Sequence, residues 1–266
     1  VRSRGLGDVY KRQGQDLLTR AKQVDDYISY RHRIQHLPYR VISLTGSSAH
    51  MRVIDPYSNK EKEMISFVSN DYLGLSHHPE VIKAGIDALE QYGAGAGASP
   101  LIGGHNFLHE QLEQEIAHFL KNEYAITYTS GYAANCSTLL AMMGKEDIAI
   151  MDMFTHASVF DGCLCTNTKR FLHNDIDSLV HVLNNAKSFK NRFVIIDGVY
   201  SQDGDIAFLD QIYTVCKEHD AFLIVDDAHG IGVLGKTGRG IIEDYDLLDK
   251  VDIITGTFSK AFGCVG

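Results

Sequence analysis

The sequence predicts an α/β fold of three layers, in which a mainly parallel β-sheet carries helices on both faces. Short apolar runs take turns with amphipathic helical segments over most of the chain after Asn70. Because parallel neighbours in a sheet need crossover connections, which helices usually supply, this alternation favours a parallel sheet. The 266 residues, 44% of them hydrophobic, are enough to bury a large core.

Two patterns come before that alternation. Apolar residues fall at helical spacing from Asp16 to about His36, which predicts an amphipathic helix. The segments MRVIDP and EMISFVS flank the polar residues Tyr57 to Lys60, which predicts a small hairpin. Residues 1–13 are basic, begin without methionine and lack either periodicity. We therefore divide the chain into a non-native leader at 1–13, a helical arm with a small hairpin at 14–68, and a large domain at 69–266, incomplete at its C-terminal end.

Within the large domain, helices are predicted to follow six residues: Pro79, Asn106, Gly131, His156, Asp175 and Ala207. The runs predicted to form strands are AITYT, IAIM, KRFL, RFVIID, AFLIVD and VDIITG. In open sheets of this kind ligands bind beyond the carboxyl ends of the strands. We therefore expect the functional side chains directly after the apolar runs.

Charge and cysteine content exclude several classes of function. The net charge of −9 arises from 34 acidic and 25 basic residues that are interspersed, which argues against a nucleic-acid surface. The five cysteines are scattered and form no CxxC pair, so we expect no metal site and a reducing, cytoplasmic location. No apolar run approaches the roughly 18 residues of a membrane helix, and we expect no membrane span. A small-molecule or acyl-carrier partner fits better.

Asp226 and Lys260 each follow an apolar strand, AFLIVD and VDIITG respectively. A buried acid needs a compensating partner, and the protonated ring nitrogen of pyridoxal 5'-phosphate (PLP) is such a partner. Lysine becomes a nucleophile when burial lowers its pKa, and it is the residue that binds PLP as a Schiff base. The pair predicts a PLP site. Alternatively, Asp226 is a metal ligand or helix cap, and Lys260 lies in a solvated loop.

Three further segments fit such a site. Ser130, Gly131 and Tyr132 stand between a predicted strand and a helix, where backbone N–H groups can hold phosphate, although a simple serine cap is the commoner use. Ser201 follows the run RFVIID and places a hydroxyl near the same edge. His156 follows another run and could stack on a planar ring, although a capping or core histidine is the commoner case.

Two glycine-rich strings suggest other functions. The string from Gly230 to Thr237 matches the P-loop pattern GxxxxGK[ST], which would make Lys236 a nucleotide-binding residue. Gly238 and Gly240 interrupt the helix that a P-loop requires, so we reject that interpretation. The string GAGAG at residues 93–97 hints at a dinucleotide loop but follows a predicted helix, which its glycines are better suited to cap.

Together these segments resemble the α-oxoamine synthases, fold-type I PLP-dependent enzymes similar to class II aminotransferases. The resemblance runs in order from Ser69 to the end of the chain. It is carried by SNDYLGLSHHP, GAGAGAS, TSGYAAN, THAS, DGVYSQDGD, VDDAHGIGVLGKTGRG and GTFSKAFG. The resemblance implies the three-layer PLP-dependent transferase fold with a C-terminal domain that is missing here.

It also implies a role for each motif residue. Lys260 forms the Schiff base, Asp226 pairs with the ring nitrogen, and His229 hydrogen-bonds the ring's phenolic oxygen. His156 stacks on the ring face. The phosphate and remaining cofactor contacts come from Gly131, Tyr132, Ser201 and Thr257, and Asn70 faces the substrates.

The implied reaction is a decarboxylative Claisen condensation of a small amino acid, alanine favoured, with an acyl-CoA or acyl-carrier thioester. SNDYLGLSHHP, GYAAN and VDDAHG look most like the 8-amino-7-oxononanoate synthase branch, which serves biotin synthesis. Asp197, where that branch usually has glutamate, and Pro100, where arginine is frequent, keep other members open. These alternatives are glycine C-acetyltransferase, serine palmitoyltransferase, 5-aminolevulinate synthase and a PLP aminotransferase. The resemblance also implies a homodimer, and we expect this chain alone to be inactive or poorly folded.

Overall fold

A computed structural model of the chain describes residues 14–36 and 40–266. The chain divides after Ser69 into two units, Val1–Ser69 and Asn70–Gly266. The leader predicted at residues 1–13 lies outside the described residues. No helix in the described ranges is both long and apolar enough to cross a membrane.

The described residues of the first unit form a helix and a small antiparallel sheet. Helix α1 (Leu17–Arg33) begins after Asp16, whose carboxylate accepts hydrogen bonds from the first backbone N–H groups of the helix. The two segments that predicted a hairpin form β2 (His50–Ile54) and β3 (Glu61–Ile65), which pair antiparallel. A strand that the sequence did not predict, β1 (Ile42–Ser43), pairs with the other edge of β2.

The second unit is built on a five-stranded sheet in the order β5-β4-β6-β7-β8, and all its pairs are parallel. The strands are β4 (Ile148–Asp152), β5 (Asn167–Phe171), β6 (Arg192–Asp197), β7 (Phe222–Asp226) and β8 (Ile253–Thr255). The helices are α2 (Pro79–Tyr92), α3 (Phe107–Leu120), α4 (Gly131–Met142), α5 (Ala157–Gly162), α6 (Ile176–Asn184), α7 (Leu209–Glu218) and α8 (Ile241–Asp244). The predicted α/β fold is confirmed.

Local signals in the sequence set the helix ends. Pro79 occupies the first position of α2, where its missing N–H costs nothing. Gly93 ends that helix at φ 81° and ψ −179°, a conformation essentially confined to glycine, so the first glycine of GAGAG is a helix cap as predicted. Asn106 and His109 form a reciprocal capping box at the start of α3.

The central strands β4 and β6 are buried on both faces, which explains why they read as continuous apolar runs. On one face, Ile150 and Val194 pack in a cluster with residues of α6 and α7, among them Leu179. On the other face, Met151 and Ile195 pack with residues of α4 and α5. Alternate residues of one strand thus point into two separate cores, with helices on both sides of the sheet.

The strand predicted at AITYT is wrong. Residues 125–129, which make up AITYT, belong to no strand of the described chain, and the N–H of Thr127 instead donates to the Glu113 carboxylate at 2.7 Å. Tyr124 and Ile126 remain exposed. Composition alone favoured a strand, but strand formation depends on a neighbouring backbone that a propensity pattern does not supply.

A histidine links the end of β5 to the loop after β6. His173 Nδ1 lies 2.9 Å from Oδ1 of the buried Asp152, and its Nε2 lies 2.6 Å from Oδ2 of Asp205. The ring stacks on Phe154 with 4.4 Å between ring centroids. Burial acts against protonation, but the hydrogen bonds and charges of both carboxylates outweigh it and raise the pKa of His173 above its usual value.

Replacing His173 with glutamine is expected to lower the free energy of unfolding by about 1.5–3 kcal/mol, the usual size for hydrogen bonds to charged groups. Because the pKa of His173 is raised in the folded state, this stabilisation is complete below the unfolded pKa of about 6.5 and is lost as the pH rises through the folded pKa. Urea unfolding at about pH 6 and about pH 9 measures the difference. The control is His181→Gln at an exposed position of α6, and an equal loss in both variants would contradict the prediction.

Candidate active site

Polar side chains collect where the parallel strands end. Asp152, Asp197 and Asp226 are the last residues of β4, β6 and β7, and Thr255 is the last residue of β8. Asp226 is in register with both Asp197 and Thr255 on the neighbouring strands. All four are buried. The carboxyl edge of the sheet therefore carries a concentration of buried acids, which need donors or cations nearby.

Lys260 lies in the loop after β8 and is part of a chain of hydrogen bonds. Its Nζ lies 2.7 Å from Nε2 of His229, and Nδ1 of that histidine lies 2.7 Å from the hydroxyl of Tyr72. The Tyr72 hydroxyl donates in turn to Oδ1 of Asn70 at 3.3 Å. Lys260, His229 and Asn70, three of the predicted site residues, are thus connected through one tyrosine.

The directions of these bonds follow from their donors. A lysine ammonium can only donate, so Nε2 of His229 accepts, and its Nδ1–H donates to Tyr72. Burial, and then the charge of Lys260, lower the pKa of His229 to about 4, which keeps the ring neutral at physiological pH. Burial also lowers the pKa of Lys260, although the charges of Asp226 and Asp197 act against it. A lysine with a lowered pKa is a better nucleophile and base at neutral pH.

Asp226 receives a donor on each carboxylate oxygen. Oδ2 accepts from the side-chain amide of Asn135 at 2.6 Å, and Oδ1 accepts from the N–H of Ala228 at 3.1 Å. Burial, and then the charge of Asp226, raise the pKa of the neighbouring Asp197 to about 8. Each oxygen of the buried Asp226 carboxylate is therefore satisfied by a donor.

Asp227 turns away from this edge into a space made by glycines. Its side chain is fully buried, and its Oδ2 accepts from the N–H of Ile241 at 2.8 Å. Cβ atoms built on Gly198, Gly230 and Gly240 would all come within 2.6 Å of the Asp227 carboxylate. Burial raises the pKa of Asp227 to about 8. The two adjacent aspartates thus serve different purposes, one toward the site and one within the core.

His156 precedes α5 and lies beside the same edge. Its N–H donates to Asp197 at 3.2 Å, and its Nδ1 lies 2.7 Å from the hydroxyl of Ser158. Its ring meets the edge of Tyr132 with 6.2 Å between centroids. The Tyr132 hydroxyl donates to Asp161. Two predicted site residues, His156 and Tyr132, are therefore in ring contact.

The N-terminus of α4 forms the phosphate-binding candidate. Ser130 caps the helix by accepting from the N–H of Ala133. A Cβ on Gly131 would come 3.0 Å from Cβ of Thr257, so glycine lets the loop after β8 approach the helix start closely. The Thr257 hydroxyl lies 2.8 Å from that of Ser259. Free N–H groups of the first helical turn, the helix dipole and two hydroxyls suit a phosphate.

Ser201 is the site residue that the structure does not join to the others. It lies in an exposed turn after Tyr200, and no hydrogen bond of its side chain is found among the described residues.

The P-loop interpretation of the string from Gly230 to Thr237 is excluded by geometry. Thr237 donates its N–H and hydroxyl to Glu243 at 2.9 and 2.6 Å, so a carboxylate accepts the bonds that a phosphate would need. The helix that follows, α8, has only four residues.

Sequence reasoning missed three residues that connect the site. Tyr72 orients His229, and Asn135 and Ser158 link Asp226 to His156. All three lie inside motifs that the sequence analysis considered for other residues of the same motif. These motifs are NDYLGL, GYAAN and THAS. The signal that could have found Asn135 is a polar residue on a helix rich in small and apolar residues, because such a residue needs a buried partner.

The chain matches one protein-family model and is similar to many known proteins. The family model "Aminotransferase class I and II" matches residues 62–266. The 8-amino-7-oxononanoate synthase of Saccharophagus degradans is 41% identical over 242 residues, which are 90% of this chain and 60% of that protein. The 8-amino-7-oxononanoate synthase of Ectopseudomonas mendocina is 44% identical over 209 residues, or 77% of this chain and 53% of that protein.

Solved structures of the same fold include a serine palmitoyltransferase from S. paucimobilis with bound PLP–myriocin aldimine. It is 32% identical, with a TM-score of 0.86 over 95% of this chain and 63% of that one. The 8-amino-7-oxononanoate synthase of Francisella tularensis is 31% identical, with a TM-score of 0.65 over 75% of this chain and 56% of that one. The chain thus spans a little over half the length of the relatives it matches.

Proposed function

The chain belongs to the aminotransferase class I and II family, and from that premise we propose that it is the cofactor-binding part of an α-oxoamine synthase that acts as an 8-amino-7-oxononanoate synthase. The observation that carries this proposal is the arrangement of Lys260, His229 and Asp226 at the ends of neighbouring parallel strands. A partly buried lysine with a lowered pKa and a buried, donor-supported carboxylate are the two groups that PLP chemistry requires.

The residues present fit PLP as the cofactor. Gly131 leaves room at a helix N-terminus where a side chain would contact Thr257, which suits the phosphate. Lys260 would bind the cofactor covalently through Nζ. Asp226 would face the ring nitrogen, His229 the phenolic oxygen and His156 the ring face. Ser201, which is exposed in the turn after Tyr200, would complete the cofactor contacts, and Asn70 would face the substrates.

When bound, PLP supplies an electron sink that stabilises negative charge on the substrate's Cα. The protein contributes protons and position. Because burial lowers the pKa of Lys260, a larger fraction of its Nζ is unprotonated at a given pH, and the free amine would take the Cα proton. The neutral His229 can hold a proton on Nδ1 toward Tyr72 while Nε2 accepts from a neighbouring donor. Asp226, whose carboxylate is held by the Asn135 amide, would face the ring nitrogen.

The proposed substrates and partners are those of the condensation that the resemblance to the 8-amino-7-oxononanoate synthases implies. Alanine and a pimeloyl thioester, on CoA or an acyl-carrier protein, would give the α-oxoamine, a free thiol and CO₂. We propose a cytoplasmic homodimer, with residues 14–68 as an N-terminal arm and 69–266 as the PLP-binding domain. Each of these assignments concerns the protein that carries this chain.

The test is a substrate comparison with the whole protein that carries this chain, loaded with PLP. Alanine with pimeloyl-CoA is expected to release thiol and CO₂ in equal amounts, whereas alanine alone releases neither. Glycine with acetyl-CoA or succinyl-CoA and serine with palmitoyl-CoA are run in parallel, and faster release with one of these pairs would reassign the branch. Transfer of the amino group to a keto acid, with no thiol released from any thioester, would instead show an aminotransferase.

A further inference from the structure

Asn135 occupies the centre of the buried polar groups behind the site. It lies on α4, and 5% of its surface is exposed. Its Nδ2 donates to Asp226 at 2.6 Å and to Ser158 at 2.9 Å, and its Oδ1 accepts from the Thr255 hydroxyl at 2.7 Å. One side chain therefore joins α4 to β7, β8 and α5.

We propose that Asn135 is a positioning residue that orients two groups toward the cofactor at once. Directly it fixes the carboxylate of Asp226, and through Ser158 it fixes the imidazole of His156. This inference rests on the proposed function, because it assigns Asp226 to the ring nitrogen and His156 to the ring face. Asn135 itself acts only through these residues.

The orientation of the amide follows from its neighbours. The Thr255 hydroxyl donates to Oδ1, which leaves both hydrogens of Nδ2 for Asp226 and Ser158. An amide stabilises an anion without adding a positive charge that would compete with the ring nitrogen for Asp226. The amide thus supplies a neutral donor to Asp226 at an edge where Asp152 and Asp197 are also buried.

The hydrogen bond from Asn135 to Ser158 determines which ring nitrogen of His156 carries the hydrogen. Ser158 Oγ accepts from Asn135, so its own hydrogen is free to point at Nδ1 of His156, 2.7 Å away. The N–H of Ser158 also donates to that Nδ1 at 3.3 Å. With two donors directed at it, Nδ1 acts as the acceptor, which places the ring hydrogen on Nε2. The ring orientation thus depends on a hydroxyl that Asn135 holds in place.

Asn135→Ala in the PLP-loaded protein tests the proposal. PLP should dissociate about 10-fold to 100-fold more readily, the range for losing a hydrogen bond to a charged group. The pH midpoint of the visible absorbance of bound PLP should also move, because it reports the charge near the ring nitrogen. Ser158→Ala removes the His156 branch alone, so its PLP affinity should fall less, by about 2-fold to 10-fold.

Leu139→Ala is the matched control on the same helix. It removes a buried apolar side chain and should lower the thermal midpoint without the cofactor, yet leave PLP affinity and the absorbance midpoint unchanged. If Asn135→Ala loses thermal stability but keeps both PLP readouts, its role is structural and the inference fails while the proposed function stands. If the wild-type protein acquires no visible band with PLP, both fail together.

Discussion

Lys260→Ala is expected to abolish the covalent attachment of PLP and to lower turnover by about 10²-fold to 10⁴-fold, the range contributed by a positioned acid-base group. The physical reason is that Lys260 is the one lysine found at this sheet edge among the described residues. Its Nζ is partly buried, its pKa is lowered, and it is hydrogen-bonded to His229. The measurement is the visible absorbance of the dialysed protein, followed by thiol release with alanine and pimeloyl-CoA.

Lys236→Ala is the matched control for this change. Lys236 is exposed in the glycine-rich string that imitates a P-loop, and its replacement should leave the absorbance band and turnover as they are. The reverse outcome, a band that survives in Lys260→Ala together with ATP binding that disappears in Lys236→Ala, would reject the PLP site and restore the nucleotide-binding alternative.

Gly240→Ala is expected to lower the free energy of unfolding by about 2–6 kcal/mol, the sum of backbone strain of about 1–3 kcal/mol and overpacking of about 1–3 kcal/mol. Gly240 has φ 87° and ψ −169°, a region essentially confined to glycine. A Cβ there would stand 1.8 Å from Oδ2 of Asp227, which cannot retreat because it accepts the N–H of Ile241 and lies against Gly198 and Gly230.

Gly93→Ala separates the two contributions. Gly93 has nearly the same backbone conformation, φ 81° and ψ −179°, but no atom lies within 4 Å of a Cβ built on it. It should therefore cost only the backbone strain of about 1–3 kcal/mol. Urea unfolding of both variants measures the difference, and equal losses would show that the contact with Asp227 is unimportant.

The sequence was most informative about the parallel sheet. Runs such as RFVIID contain an unbroken apolar stretch, here FVII, because both faces are covered, so the strand, its burial and the polar residue at its end are all local information. AITYT also combines β-branched and aromatic residues, but it pairs with no strand among the described residues. Strand β1 was missed for the converse reason, since two residues form a strand there only because β2 lies beside them.

For the site, motifs and strand ends predicted Lys260, His229, Asp226 and His156 as a group, while the connecting hydrogen bonds were not foreseen. Asn135 reaches Asp226 across 91 residues of sequence, and Tyr72 reaches His229 across 157. Such contacts depend on how helices and loops pack on the sheet, which single-residue chemistry does not specify. Gly230 and Gly240 were likewise considered only in relation to the P-loop pattern, because the space they leave for Asp227 is created by the fold.

The groups around the candidate site come from segments that start at Asn70 and finish at Lys260. A ribosome makes them in that order, so the lysine emerges last, after the strands that frame it. A sheet that pairs distant segments in parallel also assembles slowly. The covalent attachment proposed for Lys260 therefore requires that every strand of the five-stranded sheet has been synthesised first.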